Sequence, residues 1–135
     1  MISYNIFIKI NKGEVMTDLV VKTMKMPDDI AIIGLEGILD HNTEDEFGEA
    51  ITKIQNDGVH RFVFDLSRLN IITSSGIGSF IKIANSCREN YGNLVIVQPQ
   101  PNVKEALQIF GLFNFIQMAD NVNNAVKVLS APPKK

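Results

Sequence analysis

Thr73, Ser74 and Ser75 form three consecutive hydroxyl side chains, preceded by two isoleucines and followed by Gly76-Ile77-Gly78. Such hydroxyls can attack as nucleophiles, accept a phosphoryl group, or cap a helix by accepting a backbone N–H. Nucleophilic attack needs a base within hydrogen-bond reach and a group that orients the base. The only histidines are His41, after an expected strand end, and His60, before an expected central strand. Those positions send them to opposite ends of a sheet, and no G-x-S-x-G elbow occurs. No catalytic residue is therefore expected. Gly76-Ile77-Gly78 is a fragment of a dinucleotide fingerprint and no phosphate-binding lysine loop is present, so no cofactor is expected. Asp40, Glu44, Asp45 and Glu46 lie close in sequence, but their spacing fits no calcium loop and suits a solvated helix start. No metal is expected.

Two readings of the hydroxyl run stay open. In one, Ser74 or Ser75 caps a helix. In the other, one hydroxyl is chemically modified. The glycines bear on the choice, because each costs a helix up to about 1 kcal/mol relative to alanine. Two of them in a first turn imply that something approaches the backbone closely, either a neighbouring element or another molecule.

The elements around the run follow from periodicity. Residues 19 to 25 and 30 to 36 read as strands joined at Pro27-Asp28-Asp29, a hairpin signal. Thr43 with Glu46 suggests a capping box, and Phe47, Ala50, Ile51 and Ile54 mark one buried helical face ending at Gly58. Residues 61 to 66 (RFVFDL) read as a central strand with near-continuous apolar character. Asp40 and Asp65 both read as strand ends at one sheet edge. Ile77, Phe80, Ile81, Ala84 and Cys87 mark a second helix face, so Cys87 reads as a core residue. A strand is expected over 93 to 97, a helix over 102 to 110 with Asn102 as N-cap and Gly111 after its end, and a short strand over 115 to 117. A last helix, opened by Asp120 or Asn121, holds Val122, Ala125, Val126 and Leu129 inside. Alternation with short links predicts an α/β sheet with parallel pairs and right-handed crossovers.

The totals bound the function. The 135 residues suit one domain, and 45% hydrophobic content supports a core. Thirteen basic against fifteen acidic residues leave a net charge of −2, so nothing favours nucleic acid or an anionic membrane. A single cysteine forms no intramolecular disulfide and no cysteine-rich zinc site. It suits a reducing cytoplasm. No apolar stretch is long enough to span a membrane, so no membrane insertion is expected. In residues 1–18, Ile2, Tyr4, Ile6, Ile8 and Ile10 alternate as in an edge strand. The alternative is an upstream start artefact with Met16 as the natural start, since Lys12-Gly13-Glu14 is what a purine-rich ribosome-binding sequence would encode. Residues 131–135 read as a disordered tail.

Four segments in order carry a family resemblance: GLEGILDHNTEDEF, FVFDLSRLNIITSSGIGSFIKIANSC, NLVIV and VKEALQIFGLFNFIQMADNVNNAVKVL. Together they resemble the STAS domain of bacterial anti-sigma factor antagonists and sulfate-transporter tails, over roughly residues 19–130. The family's G-E-L-D-like strand end corresponds to Glu36-Gly37-Ile38-Leu39-Asp40. Its D-S-S-G-[LI]-G signature corresponds to Thr73-Ser74-Ser75-Gly76-Ile77-Gly78, and its late turn to Gly111-Leu112-Phe113.

The resemblance implies a single STAS-like α/β domain with a four- to five-stranded mixed sheet and about four helices. It implies an antagonist that binds an anti-sigma factor with serine kinase activity and frees a sigma factor. Phosphorylation of Ser74, with Thr73 and Ser75 as alternatives, cancels the binding, and a serine phosphatase restores it. The implied partner surface is Asp40, His41, Thr73, Ser74, Ser75, Gly76, Ile77 and Gly78, with Asp40 shaping it and orienting the Ser74 hydroxyl or simply bonding its own turn. The expected state is a cytoplasmic monomer or weak dimer. Thr73 departs from the family by replacing the signature aspartate. That departure motivates an alternative, an unphosphorylated STAS interaction module in a signalling scaffold or transport complex.

Overall fold

The β-branched runs and helical faces fold as the periodicity predicts, around one mixed sheet. A computed structural model describes residues 6–10 and 19–130. Met16 and the expected tail lie outside the described residues. The elements in chain order are β1 (Ile6–Ile10), β2 (Leu19–Met26), β3 (Ile30–Leu39), α1 (Glu44–Asn56), β4 (Arg61–Ile72) and α2 (Ser74–Glu89). They continue with β5 (Asn93–Val97), α3 (Pro101–Ile109), a 3-10 turn (Leu112–Asn114), β6 (Gln117–Ala119) and α4 (Val122–Ser130). The sheet order is β1-β2-β3-β4-β5-β6. The first two pairings are antiparallel and the other three parallel. Strands β2 to β6 are the mixed sheet expected of residues 19–130, and β1 adds an edge strand beside β2.

Strand alternation sorts the core into two layers. Ala31, Ile33, Leu35, Phe62, Phe64 and Leu66 point to the face covered by α1, α2 and α3. Ile30, Ile32, Val63, Val95 and Val97 point to the face covered by Ala125 and Leu129 of α4. Burial on both faces explains why β4 begins with an almost unbroken apolar run. Phe64 meets Phe47 of α1 and Phe80 of α2 edge-on, with ring centroids 6.0 and 5.0 Å away. These contacts fix both helices against the central strand. Among the described residues no helix is long and apolar enough to cross a membrane.

Several expectations are corrected. β4 does not end at Leu66 but runs to Ile72, with register shifts against β3 between Gly34 and Glu36 and between Gly37 and Ile38. Asp65 is therefore mid-strand, where its Oδ1 accepts the Ser67 N–H at 3.0 Å beside the first irregularity. Local extra residues of this kind let a polar segment, here SRLN, continue a ladder. Gln100, not Asn102, is the N-cap of α3, because Pro101 with its fixed φ takes the first helical position. Asn102 instead donates its amide to the Asn70 carbonyl at 2.7 Å. The short strand after Gly111 starts at Gln117, because residues 112–114 form the 3-10 turn and Ile116 is buried. Asn121 opens α4, its Oδ1 accepting the Asn124 N–H at 2.8 Å.

Candidate functional site

The C-terminal ends of β3 and β4 lie side by side, with Leu39 paired to Ile72. One residue later the chain of β4 turns into α2. The Thr73 N–H donates to the Leu39 carbonyl at 3.1 Å, which ties the helix start to the end of β3. Gly76 then packs against the same place. A Cβ there would lie 2.8 Å from the Leu39 oxygen and 2.9 Å from side-chain atoms of Leu39 and Ile72. Only glycine permits that approach. Gly78 differs, because a Cβ there would meet nothing within 4 Å. The two glycines thus answer the same question differently: one admits a neighbouring element, and the other faces open space.

Thr73 is the N-cap of α2, in extended conformation, and its side chain makes no cap hydrogen bond. Ser74 and Ser75 are already helical residues, so neither is the cap. Ser74 and Thr73 are exposed and Ser75 is half-buried. The capping reading is therefore corrected: the hydroxyls are not used to close the helix. The first-turn N–H groups and the positive end of the helix dipole remain at this point.

Asp40 and His41 stand in the turn directly after β3, so topology brings them to the same edge as Thr73 and Ser74. The Asp40 carboxylate accepts the Asn42 N–H at 2.9 Å, which is the turn-bonding role. Its expected bond to the Ser74 hydroxyl is not formed among the described residues. His41 is exposed. Ile77 lies in the core, only 2% exposed, so it supports the helix start from inside and offers no contact surface. Gly76 is likewise buried. The outward part of the expected surface reduces to Asp40, His41, Thr73, Ser74, Ser75 and Gly78.

Thr43 is the second correction. The expected capping box does not form, since Thr43 makes no side-chain cap bond to α1. Its hydroxyl, fully buried, accepts the Asp40 N–H at 3.1 Å and donates to the Ile38 carbonyl at 3.0 Å. It holds the Asp40 turn in shape from beneath. Ile71 was not singled out by sequence. It is 44% exposed and paired in register with half-buried Ile38, so it adds an apolar rim beside the hydroxyls. Its signal in the sequence is faint, because the strand irregularities change which residues face outward. Cys87 is buried at the other end of α2, and burial pushes its thiol up to about 12, away from reactive thiolate character. Among the described residues no group of three or more His, Cys, Asp or Glu could hold a metal ion.

This arrangement is an α/β sandwich whose central strand delivers exposed hydroxyls at an open helix start. The STAS domain family model matches residues 22–125, and the chain belongs to that family. The anti-sigma F factor antagonist of Paenibacillus polymyxa is 30% identical over 104 residues, covering 74% of this chain and 86% of that protein. The fold is similar to that of the anti-sigma factor antagonist SpoIIAA in its unphosphorylated form, with TM-score 0.70 and 21% identity over 80% of this chain and 94% of that one. It is also similar to the Bacillus cell fate determinant SpoIIAA in its phosphorylated form, with TM-score 0.63 and 20% identity over 80% and 97% of the two chains.

Proposed function

We propose that this chain is an anti-sigma factor antagonist, not itself an enzyme, that works in the cytoplasm as a monomer or weak dimer. In this reading it binds an anti-sigma factor with serine kinase activity, and phosphorylation of Ser74 ends the binding. A serine phosphatase resets it. The observation that carries the reading is the exposed Ser74 hydroxyl, which the fold does not use as a helix cap. The kinase supplies ATP and magnesium. The Ser74 Oγ–phosphorus bond forms as the bond to the ADP leaving group breaks, and the serine proton goes to a base on the kinase.

The physical logic is local. A phosphate at a helix start meets free N–H groups and a favourable dipole, so the fold tolerates it. The same fold accommodates a phosphorylated form in SpoIIAA. At a partner interface, however, about −1.5 to −2 charges must be desolvated or faced by carboxylates. A mismatch of about 3–5 kcal/mol lowers affinity by roughly two to four orders of magnitude. Open space at Gly78 gives the kinase close access to the backbone beside the acceptor.

A second reading draws on Thr73, which stands where the family signature has an aspartate. Without that carboxylate the chain would serve as an unphosphorylated interaction module in a signalling scaffold or transport complex. A pull-down from native lysate separates the two, with wild type and Ser74→Asp as parallel baits. Recovery of an ATP-binding kinase by wild type alone is the expected result. Recovery of one non-kinase partner by both baits would overturn the switch.

A further inference from the structure

Three turns meet at the sheet edge opposite Ser74: residues 27–29, 57–60 and 90–92. They line an open cleft of about 370 Å³, within the size range of small-molecule sites. Its walls are joined. The Asn93 N–H donates to the His60 carbonyl at 3.0 Å, and a Cβ at Gly92 would lie 1.7 Å from that same oxygen. The turn after α2 is thus seated directly on the start of β4. Tyr91 holds a left-handed φ of 63°, uncommon for an aromatic residue, although its side chain is 74% exposed. Core packing therefore does not account for a tyrosine at this place.

The charged groups of the cleft are uncommitted. Among the described residues, half-buried Arg61 has no ion-pair partner, and neither Asp28 nor Asp29 has one. Nearby Asp57 is already matched by Lys25 at 3.6 Å. His60 Nδ1 is buried without a hydrogen-bond partner. The buried His60 Nδ1 and the half-buried Arg61 are short of solvent and gain when a ligand supplies their complements, whereas exposed Asp28 and Asp29 stay hydrated until a cation displaces that water. None of them belongs to the Ser74 edge.

We infer that this cleft binds a small zwitterion of the basic α-amino acid class. The ligand carboxylate pairs with the Arg61 guanidinium, whose planar fork matches it. The ligand's two cationic groups face Asp28 and Asp29, with the exposed Tyr91 ring beside them. Asp28, Asp29 and Arg61 give the lining two negative charges and one positive. A phosphate or an acidic amino acid would meet two opposing carboxylates. A diamine would leave Arg61 unmatched.

Isothermal titration of the full chain with L-arginine and L-lysine tests this, with L-glutamate, inorganic phosphate and putrescine as comparison probes. Saturable binding of a basic amino acid is expected, weakened at least about tenfold by Arg61→Gln. The double variant Asp28→Asn with Asp29→Asn should weaken it similarly, and asparagine keeps the positive φ both positions need. Should Arg61→Gln fail to fold, the double variant and Tyr91→Asn decide alone. Absence of saturable binding of either basic amino acid at about 10 mM overturns the inference. Unchanged affinity in the folded variants does so too, as does tighter binding of phosphate, glutamate or putrescine.

Discussion

Helices α1 and α2 start at the same edge of the sheet, α1 after the Asp40 turn that follows β3 and α2 directly after β4, each with a threonine at its N-cap. The two threonines are used in opposite ways. Thr43 is fully buried, and its hydroxyl is committed to Asp40 and Ile38. Thr73 is exposed, its hydroxyl caps nothing, and exposed Ser74 follows it. One start therefore uses its polar groups for stability, and the other leaves them exposed to solvent. A glycine contrast runs alongside, since Gly76 faces inward to Leu39 and Gly78 faces open space. Hydroxyls and glycines in one short motif thus serve two different ends, which residue type alone does not separate.

The largest effect should fall on the inward side. Gly76→Ala forces a methyl to 2.8 Å from a backbone oxygen that is held in the sheet. Overpacking of this kind costs about 3 kcal/mol, more than the helix gains from alanine. Urea denaturation should show a lower midpoint with an unchanged slope. A midpoint equal to wild type would remove the close-approach explanation of the motif. Thr43→Val comes next. It preserves shape but leaves the Asp40 N–H and the Ile38 carbonyl without the hydroxyl, at a cost of about 2 kcal/mol. If denaturation instead showed the variant as stable as wild type, the buried threonine would not be what shapes the Asp40 turn.

These contrasts mark where sequence reading succeeded and where it stopped. The helix faces at Phe47, Ala50 and Ile51 and at Ile77, Phe80, Ala84 and Cys87 were legible, because burial imposes a helical period on residue type. The family itself was legible from ordered motifs, and the structure gives those motifs a physical reason. Leu39 in the first motif and Gly76 in the second touch, so they constrain each other. The use of Thr43 was not legible. A threonine three residues before a glutamate looks like a capping box whether its hydroxyl turns toward the helix or back into the preceding turn. The extension of β4 was hidden for a similar reason. Its register shifts place polar residues where an unbroken strand would alternate, so SRLN reads as an ending. The cleft at residues 28–29, 60–61 and 90–92 draws on three turns far apart in sequence, and no local pattern joins them.

On the outward side the stability effects should be small and reversed in sign. Gly78→Ala removes a flexible residue from a helix interior and adds a methyl into open space. It should stabilise by about 0.5–1 kcal/mol. If partner affinity falls while thermal stability rises, the low relief at residue 78 belongs to the docking surface. If stability also falls, the open space is closed by something in the fold, and the contrast between the glycines fails.

Ser74→Asp has the smallest expected effect on folding and separates the two helix starts most directly. A carboxylate in the first turn interacts favourably with the helix dipole, by about 0.3–1 kcal/mol. The substituted hydroxyl is exposed and caps nothing, so no structural bond is lost. The melting temperature should therefore stay the same or rise slightly, checked by calorimetry. Loss of partner binding in that same protein would then be an effect of charge at the surface, because unfolding has been excluded. A clear drop in melting temperature would mean that Ser74 supports the fold as Thr43 does, and the division between a committed and an open helix start would be lost.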